Sequence, residues 1–202
     1  MSKLAVGIPI TWEHVPVRFM SSYLQLFKPQ RLQELARLGI TNILEIFERS
    51  FPVDYNRNQI CRNALELGCE YLLFLDTDMT FPPDMVPRLI GAGKDVISGV
   101  YFKKRPPYAP VPGMFSPGDP LGQHIEPIAD LSGGLVRADV VGGGCLLIRR
   151  CLLEAVGQPW FSYEIDKRTG ERSVTEDVGF CRRVLEKGFE IWVDTSIKCG
   201  HI

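Results

Sequence analysis

Three small groups of residues in this chain have types and spacing that could do chemistry together. The first is Asp76-Thr77-Asp78, directly after the apolar run Tyr71-Leu72-Leu73-Phe74-Leu75. Alternate residues of an extended segment share a side, so Asp76 and Asp78 can turn toward one cation. A hard divalent ion held by carboxylate oxygens suits a ligand that carries phosphate. The second group is Thr175-Glu176-Asp177, ahead of Val178, Cys181, Val184 and Leu185 at helical spacing. This pattern predicts a helix with Thr175 as its N-cap and two acids in its first turn. The helix dipole alone favours such acids, so a stabilising role and a catalytic one both stand. Successive helical residues point about 100° apart, so when one carboxylate faces a substrate the other has a structural role. The third is His201, whose position in a tail says little by itself and whose interest lies in combination with the acids.

The elements that must carry these groups alternate. Five apolar residues without alternation, 71–75, predict a strand buried on both faces, as in a parallel sheet covered by helices. Open α/β sheets place their ligands beyond the carboxyl ends of such strands, which is where Asp76 and Asp78 fall. Before it, Leu4 to Ile10 reads as a buried strand, a helical region runs from about Val15 with a break at Pro29 and a stop at Gly39, and Asn42 to Phe47 is a second strand. Ile60, Ala64 and Leu67 form the stripe of a helix ending at Gly68. After it come a helix from Asp84 to Ile90, a strand from Asp95 to Phe102, short strands at Leu135 to Val141 and Cys145 to Arg149 around Gly142-Gly143-Gly144, and a brief helix from Cys151 to Val156. Glu164 to Ser173 reads as a polar turn, and Glu190 to Val193 as a last short strand. Lys103 to Gly134 loses periodicity and gains prolines and glycines, which predicts a long flexible loop beside the site. The triple glycine would admit close backbone approach to a ligand or make a tight turn.

Composition narrows the classes. With 202 residues, 45% of them hydrophobic, the chain can bury a substantial core, and we expect one domain over 1–202. Lys and Arg number 23 against 24 Asp and Glu, so overall charge proposes neither nucleic acid nor an anionic membrane as partner. No apolar stretch approaches the ~20 residues of a transmembrane span, and no signal peptide is expected at the N-terminus. The six cysteines show no Cys-x-x-Cys spacing and several fall on apolar positions, so reduced packing residues in the cytoplasm are expected.

Taken together, these motifs resemble a GT-A-fold glycosyltransferase of the family 2 group of nucleotide-sugar transferases. The matching residues are Leu73-Phe74-Leu75-Asp76-Thr77-Asp78 as the DxD motif, Thr175-Glu176-Asp177 as the acidic motif at a helix start, Ile191-Trp192-Val193-Asp194 running on to His201, and Arg57-Asn58 in the helix before the DxD strand. The resemblance implies an α/β fold, a single Rossmann-like GT-A domain with a mostly parallel central sheet flanked by helices. It also implies transfer of a sugar from a UDP- or GDP-sugar to an acceptor hydroxyl on a glycan, a lipid-linked molecule or a small molecule. Asp78 and His201 would bind the metal, Asp76 would meet the metal or the ribose, and Pro9, Ile10, Arg57, Asn58 and Thr77 would border the nucleotide. Asp177 would be the base, Glu176 its partner in the catalytic pair, and the outcome inversion.

The chemistry is consistent with these roles. Charge accumulates on the departing diphosphate, and a cation held by protein ligands stabilises and orients it. Oxygen ligands suit Mg²⁺ or Mn²⁺, and an imidazole shifts the choice toward Mn²⁺. Two other readings compete. Asp76-Thr77-Asp78-Met79-Thr80 also fits the D-x-D-x-T signature of haloacid-dehalogenase-like phosphatases, with Asp76 as nucleophile, Asp78 as acid and Ser98 after the next strand, although that motif usually closes a first strand. A non-catalytic nucleotide-sugar or glycan-binding relative is the third.

Overall fold

A computed structural model describes residues 2–11, 13–117, 124–165, 170 and 172–202. In chain order the elements are β1 (Ser2–Ile10), α1 (Val17–Leu26), α2 (Pro29–Arg37), β2 (Ile40–Arg49), α3 (Val53–Glu66), β3 (Tyr71–Leu75), β4 (Met79–Thr80), α4 (Met85–Gly91) and β5 (Val96–Val100). They continue with β6 (Gly113–Phe115), β7 (Ile125–Pro127), β8 (Leu135–Ala138), β9 (Cys145–Arg149), α5 (Arg150–Val156), β10 (Glu164–Ile165), β11 (Arg172–Val174), α6 (Glu176–Glu186), β12 (Ile191–Lys198) and β13 (Gly200–His201).

Seven strands form the central sheet in the order β2-β1-β3-β9-β5-β12-β8. Strands β2, β1 and β3 run parallel, as do β5 and β12, while β9 lies antiparallel to both β3 and β5, and β8 antiparallel to β12. The expected α/β architecture, a mostly parallel sheet between helices, is therefore present. The physical reason is visible in the side-chain alternation. On one face Ala5, Leu72, Phe74, Val96, Leu146 and Ile148 pack with Ile60 and Ala64 of α3, Leu152 of α5, and Phe180 and Val184 of α6. On the other, Leu4, Val6, Leu73, Leu75, Ile97 and Leu147 pack with Phe19 of α1, Leu35 of α2, and Met85 and Leu89 of α4. A strand with helices on both faces has no polar side to show, which is why 71–75 is continuously apolar. Each such side chain contributes about 1.5–3 kcal/mol by leaving water. Gly7 brings α3 close to the sheet, since a Cβ there would lie 2.4 Å from Ile60 Cγ2.

Three elements differ from the expectation. The segment 103–134 is not irregular throughout: β6 pairs antiparallel with β7, Phe102 bridges Pro110, and Gly113 bridges Val140, while 118–123 lie outside the described residues. The 164–173 stretch carries the antiparallel pair β10 and β11, with 166–169 and 171 outside the described residues. Strand β12 runs on to Lys198, past the expected end at Val193; its register with β5 shifts between Asp194 and Lys198, and exposed Ser196 and Lys198 alternate with buried Thr195 and Ile197. Among the described residues no helix is long and apolar enough to cross a membrane.

Candidate active site

The backbone fixes the DxD turn from two directions. Asp76 N–H donates to the Gly144 carbonyl at 3.1 Å, which ties the end of β3 to the start of β9, and Met79 N–H closes the turn onto Asp76 O at 3.2 Å. Beyond the turn, β4 pairs antiparallel with β13, Met79 opposite His201, and Ile202 N–H donates to Asp78 O at 2.8 Å. The histidine is therefore placed by strand pairing beside the second aspartate. Its Nε2 lies 3.5 Å from Asp78 Oδ2, and its Nδ1–H donates to Phe102 O at 2.8 Å. A carbonyl can only accept, so in the neutral ring the proton sits on Nδ1 and the lone pair of Nε2 faces Asp78, the tautomer a metal ligand requires. Lys104 Nζ stands 2.9 Å from the same Oδ2.

Asp76 has a different partner. Arg57, on α3 and 3% exposed, donates from Nη2 to both its carboxylate oxygens at 3.0 Å, and from Nη1 to Gly143 O at 3.2 Å. Its Nε approaches Glu176 Oε1 at 3.5 Å without a hydrogen bond, and the guanidinium lies over the rings of Phe74 and Phe161 at 5.4 and 5.7 Å. Burial opposes its charge, but the carboxylates of Asp76, Glu176 and Asp177 outweigh that and hold it protonated. Burial raises the Asp76 carboxyl above the ordinary range, Asp78 and Asp177 adding to the effect and Arg57 opposing it. Arg57 is buried while the Asp76 side chain is 28% exposed toward the cleft, and the two hydrogen bonds between them make them one unit. The triple glycine makes room for this arrangement. A Cβ on Gly143 would lie 2.3 Å from Arg57 Nη1, and one on Gly142 2.0 Å from the Tyr101 hydroxyl. Protein side chains take the space, and no left-handed backbone requires glycine at either position.

The acidic pair divides its work. Thr175 occupies the N-cap position of α6, yet its hydroxyl makes no capping bond to the backbone and donates instead to Asp177 Oδ1, which also accepts from Val178 N–H at 2.9 Å. Glu176 is buried against Arg57, and burial together with the Asp177 charge raises its carboxyl above the ordinary range, against the lowering effect of Arg57.

A cleft of about 250 Å³ is lined by Pro9, Thr11, Val53, Arg57, Asp76, Thr77, Asp78 and Glu176, and Asp177 is not among its lining residues. Of the residues singled out in the sequence, the structure thus gathers Pro9, Arg57, Asp76, Thr77, Asp78 and Glu176 around the cleft, with His201 beside Asp78. Ile10 ends β1 next to it, its carbonyl 3.5 Å from Asn56 Nδ2. Asn58 serves the fold instead of the cleft. Its Nδ2 donates to Asp54 O and Phe161 O at 2.8 and 2.6 Å, and its Oδ1 accepts from the N–H groups of Trp160 and Phe161 at 2.9 and 3.1 Å. Among the described residues no three His, Cys, Asp or Glu side chains form a ready ligand cluster. Of the three residues expected as metal ligands, Asp78 and His201 lie 3.5 Å apart, while both oxygens of the Asp76 carboxylate accept from Arg57. Ser98 is fully buried, its hydroxyl 2.7 Å from the Cys145 carbonyl and 2.8 Å from that of Gly99, to one of which its single proton is donated, and so does not serve the phosphatase arrangement. Thr11, Val53 and Lys104 were not singled out. Thr11 follows the carboxyl end of β1, where a sheet of this kind binds ligands, and that signal could have found it.

No protein-family model matches this sequence, and no curated protein does. Among solved structures the chain is similar over its whole length to A197 from STIV, at 22% identity and a TM-score of 0.59, covering 86% of that chain. It is likewise similar over its whole length to GalNAc-T7, solved with UDP, GalNAc and Mn²⁺, at 12% identity and a TM-score of 0.60, and spans 44% of that chain. At these identities the likeness shows the fold, which is GT-A-like.

Proposed function

We propose that this chain is a metal-dependent glycosyltransferase that moves a sugar from a UDP- or GDP-sugar to an acceptor hydroxyl with inversion. The observation that carries the reading is the convergence of Asp78 Oδ2 and a tautomer-fixed His201 Nε2 at the carboxyl edge of β3, in a GT-A-like sheet. The donor set, one carboxylate oxygen and one neutral imidazole, fits Mn²⁺ and, less well, Mg²⁺. A divalent cation bound there supplies positive charge to the diphosphate that leaves the sugar. Asp78 and His201 would hold it, and the Arg57–Asp76 pair would keep the turn rigid. Pro9, Thr11, Val53 and Thr77 would border the nucleotide. Asp177, which is less buried than Glu176 and carries no ion pair to Arg57, would take the proton from the acceptor hydroxyl, while Glu176 holds Arg57. Six free cysteines, five of them buried, support the cytoplasm as the setting.

The test is a screen of nucleotide sugars by thermal shift with and without Mn²⁺. UDP or GDP should stabilise the protein only with the cation, by about 2.7 kcal/mol at a hundred times the dissociation constant, and Asp78→Asn should remove most of that gain. Equal shifts in EDTA and in Mn²⁺ would sink the metal-dependent reading. Donor binding without release of sugar to any acceptor or to water would select a binding protein instead.

A further inference from the structure

We infer that Lys104 is the resident counter-cation of Asp78, displaced when a divalent cation enters between Asp78 and His201, and thereafter a ligand for the donor's diphosphate. The inference rests on the functional reading above and extends it to a residue that neither the sequence motifs nor the cleft lining includes.

The ammonium of Lys104 and the imidazole of His201 converge on one oxygen, Asp78 Oδ2, at 2.9 and 3.5 Å. That is the place a cation shared by Asp78 and His201 must take. An ammonium and a divalent ion on one carboxylate oxygen repel each other, so the two occupancies exclude one another. Magnitude decides which prevails. The side chains of Lys104 and Asp78 are 47% and 46% exposed, and an ion pair so open to water contributes little and is screened by salt. Lys104 neutralises Asp78 in the absence of metal without locking the site.

What happens to the released lysine follows from the backbone. Its segment is clamped at both ends: Phe102 bridges Pro110, Lys103 N–H donates to Ala109 O and Val111 N–H to Tyr101 O, both at 2.9 Å. The carbonyl of Phe102 in turn orients His201. The stem of Lys104 is thus anchored by the same segment that orients the other metal ligand, which keeps its ammonium within reach of Asp78. A nucleoside diphosphate bound opposite Asp78 adds negative charge there, and a compact ammonium on a flexible stem is a suitable point charge for it.

The experiment measures Mn²⁺ binding to the full chain without nucleotide, by electron paramagnetic resonance of the free ion, for wild type, Lys104→Met and Lys104→Arg. Lys104→Met should bind Mn²⁺ up to about five-fold more tightly, the effect expected for losing one exposed competing ion pair, and Lys104→Arg should match wild type. At saturating Mn²⁺, titration with UDP and with GDP should show Lys104→Met weaker by at least about three-fold for the nucleotide that wild type binds. Equal Mn²⁺ affinity in wild type and Lys104→Met overturns the counter-cation role, and tighter Mn²⁺ with unchanged nucleotide affinity overturns the diphosphate role. Binding of Mn²⁺ by none of the three proteins overturns the functional reading and this inference with it.

Discussion

Asp177 and Glu176 are adjacent in sequence, yet their surroundings set them apart. Glu176 is buried beside a guanidinium, whereas Asp177 uses one oxygen for Thr175 and Val178. Asp177→Asn keeps the shape and the acceptor for Val178 N–H, so folding and Mn²⁺-nucleotide binding should survive, while transfer to the acceptor at saturating donor should fall by about 10² to 10⁴, the range for general-base catalysis. Glu176→Gln removes the carboxylate that faces Arg57 Nε and should lower donor affinity, with a smaller effect on the chemical step. Steady-state kinetics of both variants with the true acceptor separate the roles. Near-wild-type transfer by Asp177→Asn would place the base elsewhere or make the mechanism retaining.

At the scale of elements, the decisive one is the two-residue strand β13. Ile202→Pro deletes the single N–H that holds Asp78 O and leaves the His201 side chain in place, and the residue before a proline prefers the extended backbone that β13 already has. Losing one such hydrogen bond costs about 0.5–1.5 kcal/mol. We expect a loss of that order in urea denaturation, accompanied by weaker Mn²⁺ binding; weaker stability with unchanged Mn²⁺ affinity would show that the turn does not depend on its strand partner. Elements this short are what the sequence conceals. The long runs at 4–10 and 71–75, and the stripes of α3 and α6, were legible because burial on both faces leaves an unbroken apolar run and burial on one face leaves a period. β4, β13, β6 and β7 are two or three residues each and carry none. The direction of β9 was not legible either, since an apolar run reads the same both ways. In the site, Asp76 and Asp78 announced themselves by ending an apolar strand. The use of Arg57 as the partner of Asp76 did not, because an arginine on a helix looks like any solvated cation until the sheet and Gly143 close over it.

For the whole molecule, formal charge is close to zero, at -1, but it is unevenly placed: Asp76, Glu176 and Asp177 act on one buried arginine, and the Asp78 charge acts on Asp76. The carboxyls of Asp76 and Glu176 are raised above their ordinary values of 3.8 and 4.5. Between those values and the raised ones the folded chain holds more protons than the unfolded chain, so the contribution of these groups to stability is largest at low pH and declines as pH rises through the window. Exposed Asp130, lowered by its hydrogen bonds to Ser132, acts in the opposite sense. The clean measurement is a difference. The stability of wild type relative to Glu176→Gln, from denaturant titrations between about pH 4 and pH 7, should decrease as pH increases. A flat difference would mean that Glu176 titrates in the folded chain as it does in the unfolded one.

The pairing of β13 with β4 also sets a schedule for biosynthesis. His201 meets a segment made 99 residues earlier, at Phe102, and the DxD turn is older still. Closing a loop of that length is an entropic cost met late, after local helices and adjacent strands have formed. A nascent chain that has emerged only through β9 already owns both aspartates and Arg57, but it lacks His201, which the proposed cation site requires. Divalent ions should therefore leave the early folding steps untouched and act as a trap for the final one, so that translation in Mn²⁺ protects finished chains from protease and gives ribosome-stalled fragments nothing.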